Sequence, residues 1–369
     1  MQIKTSYNLV KGIVLAIIIR LLCVPNKNPD YLVFLEPWYN FIVEHGGFSA
    51  LKYSFANYTP PYLYWLVIAS SLLSWLPKLL AIKLFAMMVD FVCAFFVYKI
   101  VSLKYAEGRR PITAFMAVLF TPTVIDNSAL WGQCDVIYTT GLIACLYFLC
   151  VQRNFLAFIC FGIALSFKLQ AMFFAPVLLI LLVKRVVSWK YIILIPSVYL
   201  VAILPAWFAG RPILDLMLIY FNQTNEYKEL TMNAPNLYQW INNDYYNIFL
   251  PLGVLLTLTT IGGMTLIIYN LKIKISREHI ITFATVSVLV VPYLLPKMHE
   301  RYFYPADVIS IVWGFYFPQY FWVTIGVQIA SLLSYLRTPI LIKIASILLG
   351  LTILFVLQQS YLQIRKNQQ

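Results

Sequence analysis

At 369 residues the chain is 62% hydrophobic and 11% charged, whereas a soluble domain is about half apolar and about a quarter charged, so a water-soluble globular protein is excluded and an integral membrane protein indicated. The formal net charge of +13 lies in short spacers with no dense basic run, which excludes a nucleic-acid groove. The period-two alternation of an outer-membrane barrel is absent, so the spans are helical and the predicted fold class is an all-α polytopic bundle.

The spacers set the path. Lys4 and Lys11, then Lys104, Arg109 and Arg110, then Lys184, Arg185 and Lys190, then Lys272, Lys274 and Arg277, then Arg365 and Lys366 alternate with charge-poor or acidic spacers, the pattern that places basic residues on the cytoplasmic side. Residues 7–24 have basic flanks and no small-residue cleavage site, and are predicted as an uncleaved first span running outward. Residues 26–75 stay outside. Within them 60–75 is too short and too proline-rich to cross, and is predicted as a half-inserted helix, which lets 79–101 deliver residues 104–110 to the cytoplasm. The path continues through 111–123, 136–151, 155–167, 169–183 and 191–208 to a second large outer segment, 210–247. Residues 248–270 and 280–295 follow, then a short basic outer loop, 296–304, and three more crossings with a basic tail, for a total of about eleven to thirteen helices. Residues 1–369 are read as a single integral-membrane domain. Five of the six cysteines lie within apolar runs and no C-x-x-C occurs, so neither zinc nor a disulfide framework is predicted.

Residues 26–65 carry Asp30, Glu36, Glu44 and His45 amid many Trp and Tyr, side chains that settle where membrane meets water. Pro37 suits a first helical position, Trp38, Phe41, Ile42 and His45 recur at helical spacing, Glu36, Asn40 and Glu44 form the opposite edge, and Gly46-Gly47 ends the run. These signals predict a short amphipathic helix lying on the membrane surface.

Ionisable groups at membrane depth are costly and read as functional by default. Asp30, Glu36, Asp126, the WGQCD run (Trp131, Gly132, Gln133, Cys134, Asp135), Lys168, Gln170, Lys297, His299 and Arg301 all fall toward the outer face on this path. Asp135 opens a span, where helix capping is the competing reading. Lys168 and Gln170 sit at a tight turn, where Lys168 serves either as a phosphate anchor or as a snorkelling cation. Lys297, His299 and Arg301, flanked by Tyr293, Tyr302 and Tyr304, make an anion pocket, with Glu300 orienting Arg301. Asp90 lies mid-span and is expected to pair with a polar group on another helix or with Lys83, a structural role. This set suits transfer of a group from a lipid phosphate to an alcohol, with Asp30 as general base and the cationic loops offsetting charge on the leaving phosphate. Asp30 and Glu36 together could bind a divalent cation, but no ligand spacing requires one, so no metal site is assigned. No Ser-His-Asp or Cys-His array, P-loop or dinucleotide fingerprint is present.

The stretches PDYLVFLEPWYNFIVEHGGF, NYTPPYLYWL, NSALWGQCDVIYTTGL, FKLQAMFFAPVLL, NAPNLYQW and KMHERYFYPADV resemble, in order, polytopic glycosyltransferases of the GT-C fold. The nearest resemblance is to bacterial mannosyltransferases related to the GPI-anchor mannosyltransferases. The resemblance implies two juxtamembrane helices in the first loop and a sugar donor carried on polyprenyl phosphate, used on the extracytoplasmic side of the cell membrane. It implies the first-loop acid, Asp30, as catalytic base. Donor-phosphate contacts fall to Lys168, His299 and Arg301, with Lys297 and Gln170 beside them, and the sugar and acceptor pocket to Glu36, Tyr58, Tyr64, Trp131, Gln133 and Asp135. The expected activity moves a hexose, mannose favoured, to a hydroxyl of a lipid-linked glycan, polysaccharide or protein. Expected partners are membrane lipids, the polyprenyl-phosphate sugar and the glycan or lipid acceptor. A polymerase or ligase using a diphosphate-linked glycan is the near alternative. A secondary transporter or flippase is the distant one, for which the paired broken helices of repeated halves are not found.

Overall fold

A computed structural model describes residues 2–106, 108–223 and 227–366. In chain order the helices begin with α1 (Gln2–Cys23), α2 (Glu36–Glu44), α3 (Pro60–Ser71), α4 (Lys78–Ser102), α5 (Arg110–Phe120) and α6 (Pro122–Ile125). Next come α7 (Asp135–Cys150), α8 (Asn154–Phe167), α9 (Ala175–Val183), α10 (Leu194–Phe208), α11 (Ile213–Met217) and α12 (Ile219–Gln223). The chain ends with α13 (Tyr246–Asn270), α14 (Arg277–Leu294), α15 (Tyr304–Tyr316), α16 (Trp322–Tyr335) and α17 (Pro339–Lys366). The only strands among the described residues are β1 (Thr231–Met232) and β2 (Met298–His299), paired in parallel. Two compact units result: residues 1–141, 159–169 and 193–226 form the first, and 142–158, 170–192 and 227–369 the second.

Each expected span is met by a helix, and the three segments left after residue 305 are α15, α16 and α17. Among the described residues five helices are long and apolar enough to cross a membrane by length and composition, and six if the bent α5–α6 pair counts as one. The chain is thus a multi-pass membrane protein with an all-α polytopic fold. Proline sets many helix starts. In the first unit α2, α3, α5 and α6 all carry Pro in the first turn, where its missing N–H is no loss and its φ is already helical. The same holds for α9 and α15 in the second. Between α5 and residues 122–130 the chain bends by 52°. Thr121 there is extended, as expected of a residue preceding proline. Helix α3 has 12 residues, about 18 Å at 1.5 Å per residue, well short of a bilayer core.

Two features depart from expectation. The helix leading into α2 starts earlier than Glu36. Asn28 accepts a hydrogen bond from the Tyr31 backbone at 2.8 Å, Pro29 and Asp30 are already helical, and Tyr31–Leu35 forms a π turn running straight into α2. The side chain of Asn28 supplies the cap that hydrophobic periodicity cannot reveal. Secondly, residues 210–247, expected only as a large outer segment, carry secondary structure of their own. They hold α11 and α12 in the first unit. In the second they hold β1, which pairs Thr231 with Met298 and Met232 with His299.

Of the two partners expected for Asp90, the polar group on another helix is the one found. Its partner is not Lys83 but Arg20 of α1, whose Nε donates to Oδ2 at 2.7 Å with both side chains buried, and Ser128 donates to the same oxygen at 2.6 Å.

Candidate active site

Asp30 is half-buried at the start of its helix. The Gln133 side-chain amide donates to Asp30 Oδ2 at 2.6 Å, and Gln133 Oε1 accepts from the Tyr58 hydroxyl at 3.0 Å. An amide with one edge on a carboxylate and the other on a hydroxyl has its orientation fixed by chemistry, since only its NH2 can face the acid. Tyr58 is held by Trp38 of α2, ring centroids 5.1 Å apart. The acid predicted in the first loop and the glutamine predicted in WGQCD, 103 residues apart in sequence, are therefore in direct contact.

Backbone geometry at both partners favours this contact. The π turn Tyr31–Leu35 follows Asp30 directly, and a second, Asp126–Leu130, precedes Trp131-Gly132-Gln133. A π turn holds one extra residue and re-aims the side chains beside it, a device common at functional sites. Gly132 then takes φ +73°, and a Cβ there would stand 3.0 Å from Lys83 Cγ. Only glycine fits both demands. The half-buried Trp131 precedes it.

Lys83 ties the two segments together. Fully buried in α4, its ammonium donates to the carbonyls of Val24, Asn26 and Leu130 at 3.0, 2.7 and 2.8 Å. Asn28 adds a bond to the Leu130 carbonyl at 3.3 Å. Thus the chain just before Asp30 and the chain just before Gln133 share anchors.

Lys168 and Asp135 meet as a buried pair at 2.5 Å, and Asn127 donates to the other Asp135 oxygen at 2.9 Å. The Lys168 ammonium also lies 5.8 Å from the ring centres of Tyr58 and Tyr138, within cation–π range. Lys168 therefore points inward against Asp135 rather than snorkelling to an interface. Tyr64 and Glu36 are engaged elsewhere. The Tyr64 hydroxyl donates to the Ala202 carbonyl at 2.9 Å and accepts from the Ala206 N–H at 3.2 Å, both on α10. Glu36 accepts from Lys78 at 2.9 Å, and Lys78 also reaches Asn40 at 3.0 Å. The polar edge of α2 thus grips the start of α4. The Lys78 hydrogen bond holds the Glu36 carboxyl below its usual range, while burial and then the Glu36 charge push Tyr31 up to about 12, leaving it a neutral donor.

The second unit carries the basic loop and Gln170, half-buried in the turn Leu169–Phe174. Lys297 adopts φ +64°, its N–H donates to the Leu230 carbonyl at 2.7 Å, and its ammonium lies 5.8 Å from the Tyr246 ring centre. His299 stands edge-on to Tyr227 and Tyr302, at 5.5 and 5.1 Å. The buried Glu300 is approached by His299 at 4.0 Å, Arg301 at 3.9 Å and Arg337 at 2.9 Å. Its tightest partner is Arg337, from the turn after α16. Glu300 thus draws two guanidinium groups, those of Arg301 and Arg337, in this part of the second unit.

Asn28, Asn127 and Arg337 were not among the residues expected at the site, and Lys83 was expected only as a partner for Asp90. Asn28 and Lys83 act on backbone carbonyls, Asn127 on the Asp135 carboxylate and Arg337 on Glu300, partners that apolar periodicity does not reveal. Among the described residues no group of three or more His, Cys, Asp or Glu is placed to hold a metal ion.

No protein-family model matches the chain, and no curated protein does. Among solved structures it is similar to ArnT from Cupriavidus metallidurans, crystallised bound to undecaprenyl phosphate, with a TM-score of 0.54 and 12% identity over 95% of this chain and 77% of that one. At that identity the likeness speaks for the fold, which is of the polytopic all-α GT-C type.

Proposed function

We propose that this protein is a membrane glycosyltransferase that moves a hexose, with mannose favoured, from polyprenyl phosphate to a hydroxyl of a lipid-linked glycan, polysaccharide or protein on the extracytoplasmic face of the cell membrane. The observation that carries this reading is the Asp30 carboxylate gripped at 2.6 Å by Gln133, within a chain that extends to Tyr58. The fold shared with ArnT, a protein crystallised with undecaprenyl phosphate, supports the donor class.

In the proposed reaction the acceptor hydroxyl oxygen attacks C1 of the hexose and its proton passes to Asp30. The bond from C1 to the phosphate oxygen breaks, and polyprenyl phosphate leaves with that electron pair. A positioned base of this kind contributes typically 10²–10⁴-fold. Gln133 keeps Asp30 in one rotamer, and Tyr58, Trp131 and Gln133 are the proposed contacts to sugar, since aromatic faces and amide groups suit ring carbons and hydroxyls. Asp135 holds Lys168 in place; an ammonium carries three donors, so one bond to Asp135 is compatible with a further bond to phosphate. Glu36 and Tyr64 brace the walls. Lys297, His299 and Arg301, with Gln170, are proposed for the donor phosphate on their chemistry, and Arg337 joins them through Glu300.

The test uses purified protein in detergent with a panel of polyprenyl-phosphate hexoses, their diphosphate counterparts and a glycolipid extract. Mass spectrometry follows the released lipid and the new glycan. Release of polyprenyl monophosphate with one hexose gained by the acceptor supports the reading. Release only from diphosphate donors contradicts it in favour of a polymerase or ligase.

A further inference from the structure

The first unit holds a cavity of about 630 Å³ that the reaction above does not use. Its polar lining comes from Ser54 and Asn57 of the first loop and from Arg211, Asp215, Asn222 and Gln223. Gln223 donates from its amide to the Asn57 carbonyl, so the two lining segments are joined directly. Arg211 is 3% exposed. One of its terminal nitrogens, Nη2, donates to Ser54 Oγ at 3.0 Å, while its Nε has no hydrogen-bond partner among the described residues. Arg211 lines the cavity, where its guanidinium offers charge-assisted donors to a ligand oxygen.

The lining also identifies the ligand's class. Arg211 and Asp215 balance in formal charge, and the remaining polar groups are neutral amides and a hydroxyl. A phosphate would meet Asp215 without a surplus of cations, and a lipid tail would leave these groups unsatisfied. Sugar hydroxyls, which both donate and accept, match a mixture of guanidinium, amides and carboxylate. Location points the same way. Asn57 precedes Tyr58, whose hydroxyl bonds Gln133, which bonds Asp30. A molecule against Asn57 is therefore one residue along the chain from Tyr58, the outer end of the hydrogen-bonded chain that ends at the proposed base.

We propose that this cavity is the acceptor subsite, binding a neutral, hydroxyl-rich glycan unit through Arg211, Asp215 and Asn222. This rests on the glycosyltransferase reading for the word acceptor, though not for sugar binding itself.

The experiment uses full-length protein in nanodiscs with methyl glycosides of mannose, glucose and galactose as probes, binding being followed by saturation-transfer NMR. The exposed Asn222 is changed to Trp to fill the cavity. Arg211→Gln is the second variant, because a buried arginine is the riskier change for folding. At least one glycoside should bind the wild type, and both variants should weaken it by about tenfold or more, the effect of losing one charge-assisted hydrogen bond or its space. The glycoside that binds should also accelerate Asp30-dependent release of polyprenyl phosphate from a polyprenyl-phosphate hexose by the wild type. No glycoside binding, or binding untouched by Asn222→Trp, overturns the subsite, and Asp30-dependent release would then leave the transferase reading standing. Binding lost in Asn222→Trp without any donor release would keep a sugar cavity but overturn its acceptor role together with the transferase reading.

Discussion

The contact between Gln133 and Asp30 separates a role in chemistry from a role in folding. Gln133→Ala removes a hydrogen bond to a charged group, about 1.5–3 kcal/mol, so turnover should fall roughly 10- to 150-fold if that bond positions the base in the transition state. Tyr58→Phe, one bond further out, should cost less. Steady-state rates of polyprenyl-phosphate release would rank the two, and equal losses would show that Gln133 has no special place. The Glu36–Lys78 bridge gives a pH prediction. The folded Glu36 carboxyl sits below its ordinary value, so its contribution is fully present above that value and fades as pH falls through the lower folded one. With Lys78 about a third exposed, the bridge contributes at most about 1 kcal/mol. Lys78→Met should lower the melting temperature slightly and equally at pH 8 and pH 6, with the gap to wild type closing only in strong acid. A gap that closed between pH 8 and 6 would assign it to another group.

At the scale of elements, the structure is braced by two buried cations whose partners lie far off in sequence. Lys83 joins the segments that lead to Asp30 and Gln133 through three carbonyls. Lys83→Met should raise amide exchange in residues 24–31 and 126–133 and lower turnover at least about tenfold, each lost bond to the ammonium being worth about 1.5–3 kcal/mol before relaxation. Unchanged exchange there would remove Lys83 from this role. Arg20 and Asp90 form a buried pair, so Arg20→Met alone should destabilise by roughly 3–5 kcal/mol by stranding the carboxylate, while Arg20→Met with Asp90→Leu should recover most of it. Thermal unfolding of the single and double variants checks this, and additive losses would contradict it. These braces mark what the sequence could not disclose. Proline at helix starts and the Glu36–His45 periodicity were legible because they are local signals. Asp30 was legible because a carboxylate among aromatic residues in a charge-poor chain is conspicuous. Arg20 and Asn127 gave no local sign, and Lys83 was expected only at Asp90, since periodicity tells which face of a helix is apolar but not which residue 47 or 70 positions away completes a polar pair. The π turns were hidden too, because one extra residue in a turn leaves the apolar pattern almost unchanged.

At the scale of the molecule, the helices supply the lipid-facing frame while the chemistry-bearing residues gather where helices break. Asp30 lies between α1 and α2, Gln133 between the α5–α6 pair and α7, and Lys168 at the end of α8. Helix interiors satisfy their own backbone groups, so breaks are where side chains and carbonyls become available for ligands and for bracing. The same logic places the basic loop of the second unit between α14 and α15. Asp30 as the base is tested most directly by one comparison, release of polyprenyl phosphate from a polyprenyl-phosphate hexose by wild type and by Asp30→Asn, each first shown to be folded by its melting curve. The predicted result is sugar-specific release that falls by about a hundredfold or more in the variant. Release at equal rates in the two proteins would contradict Asp30 as the base, and absence of release from every donor by folded wild type would contradict the glycosyltransferase itself.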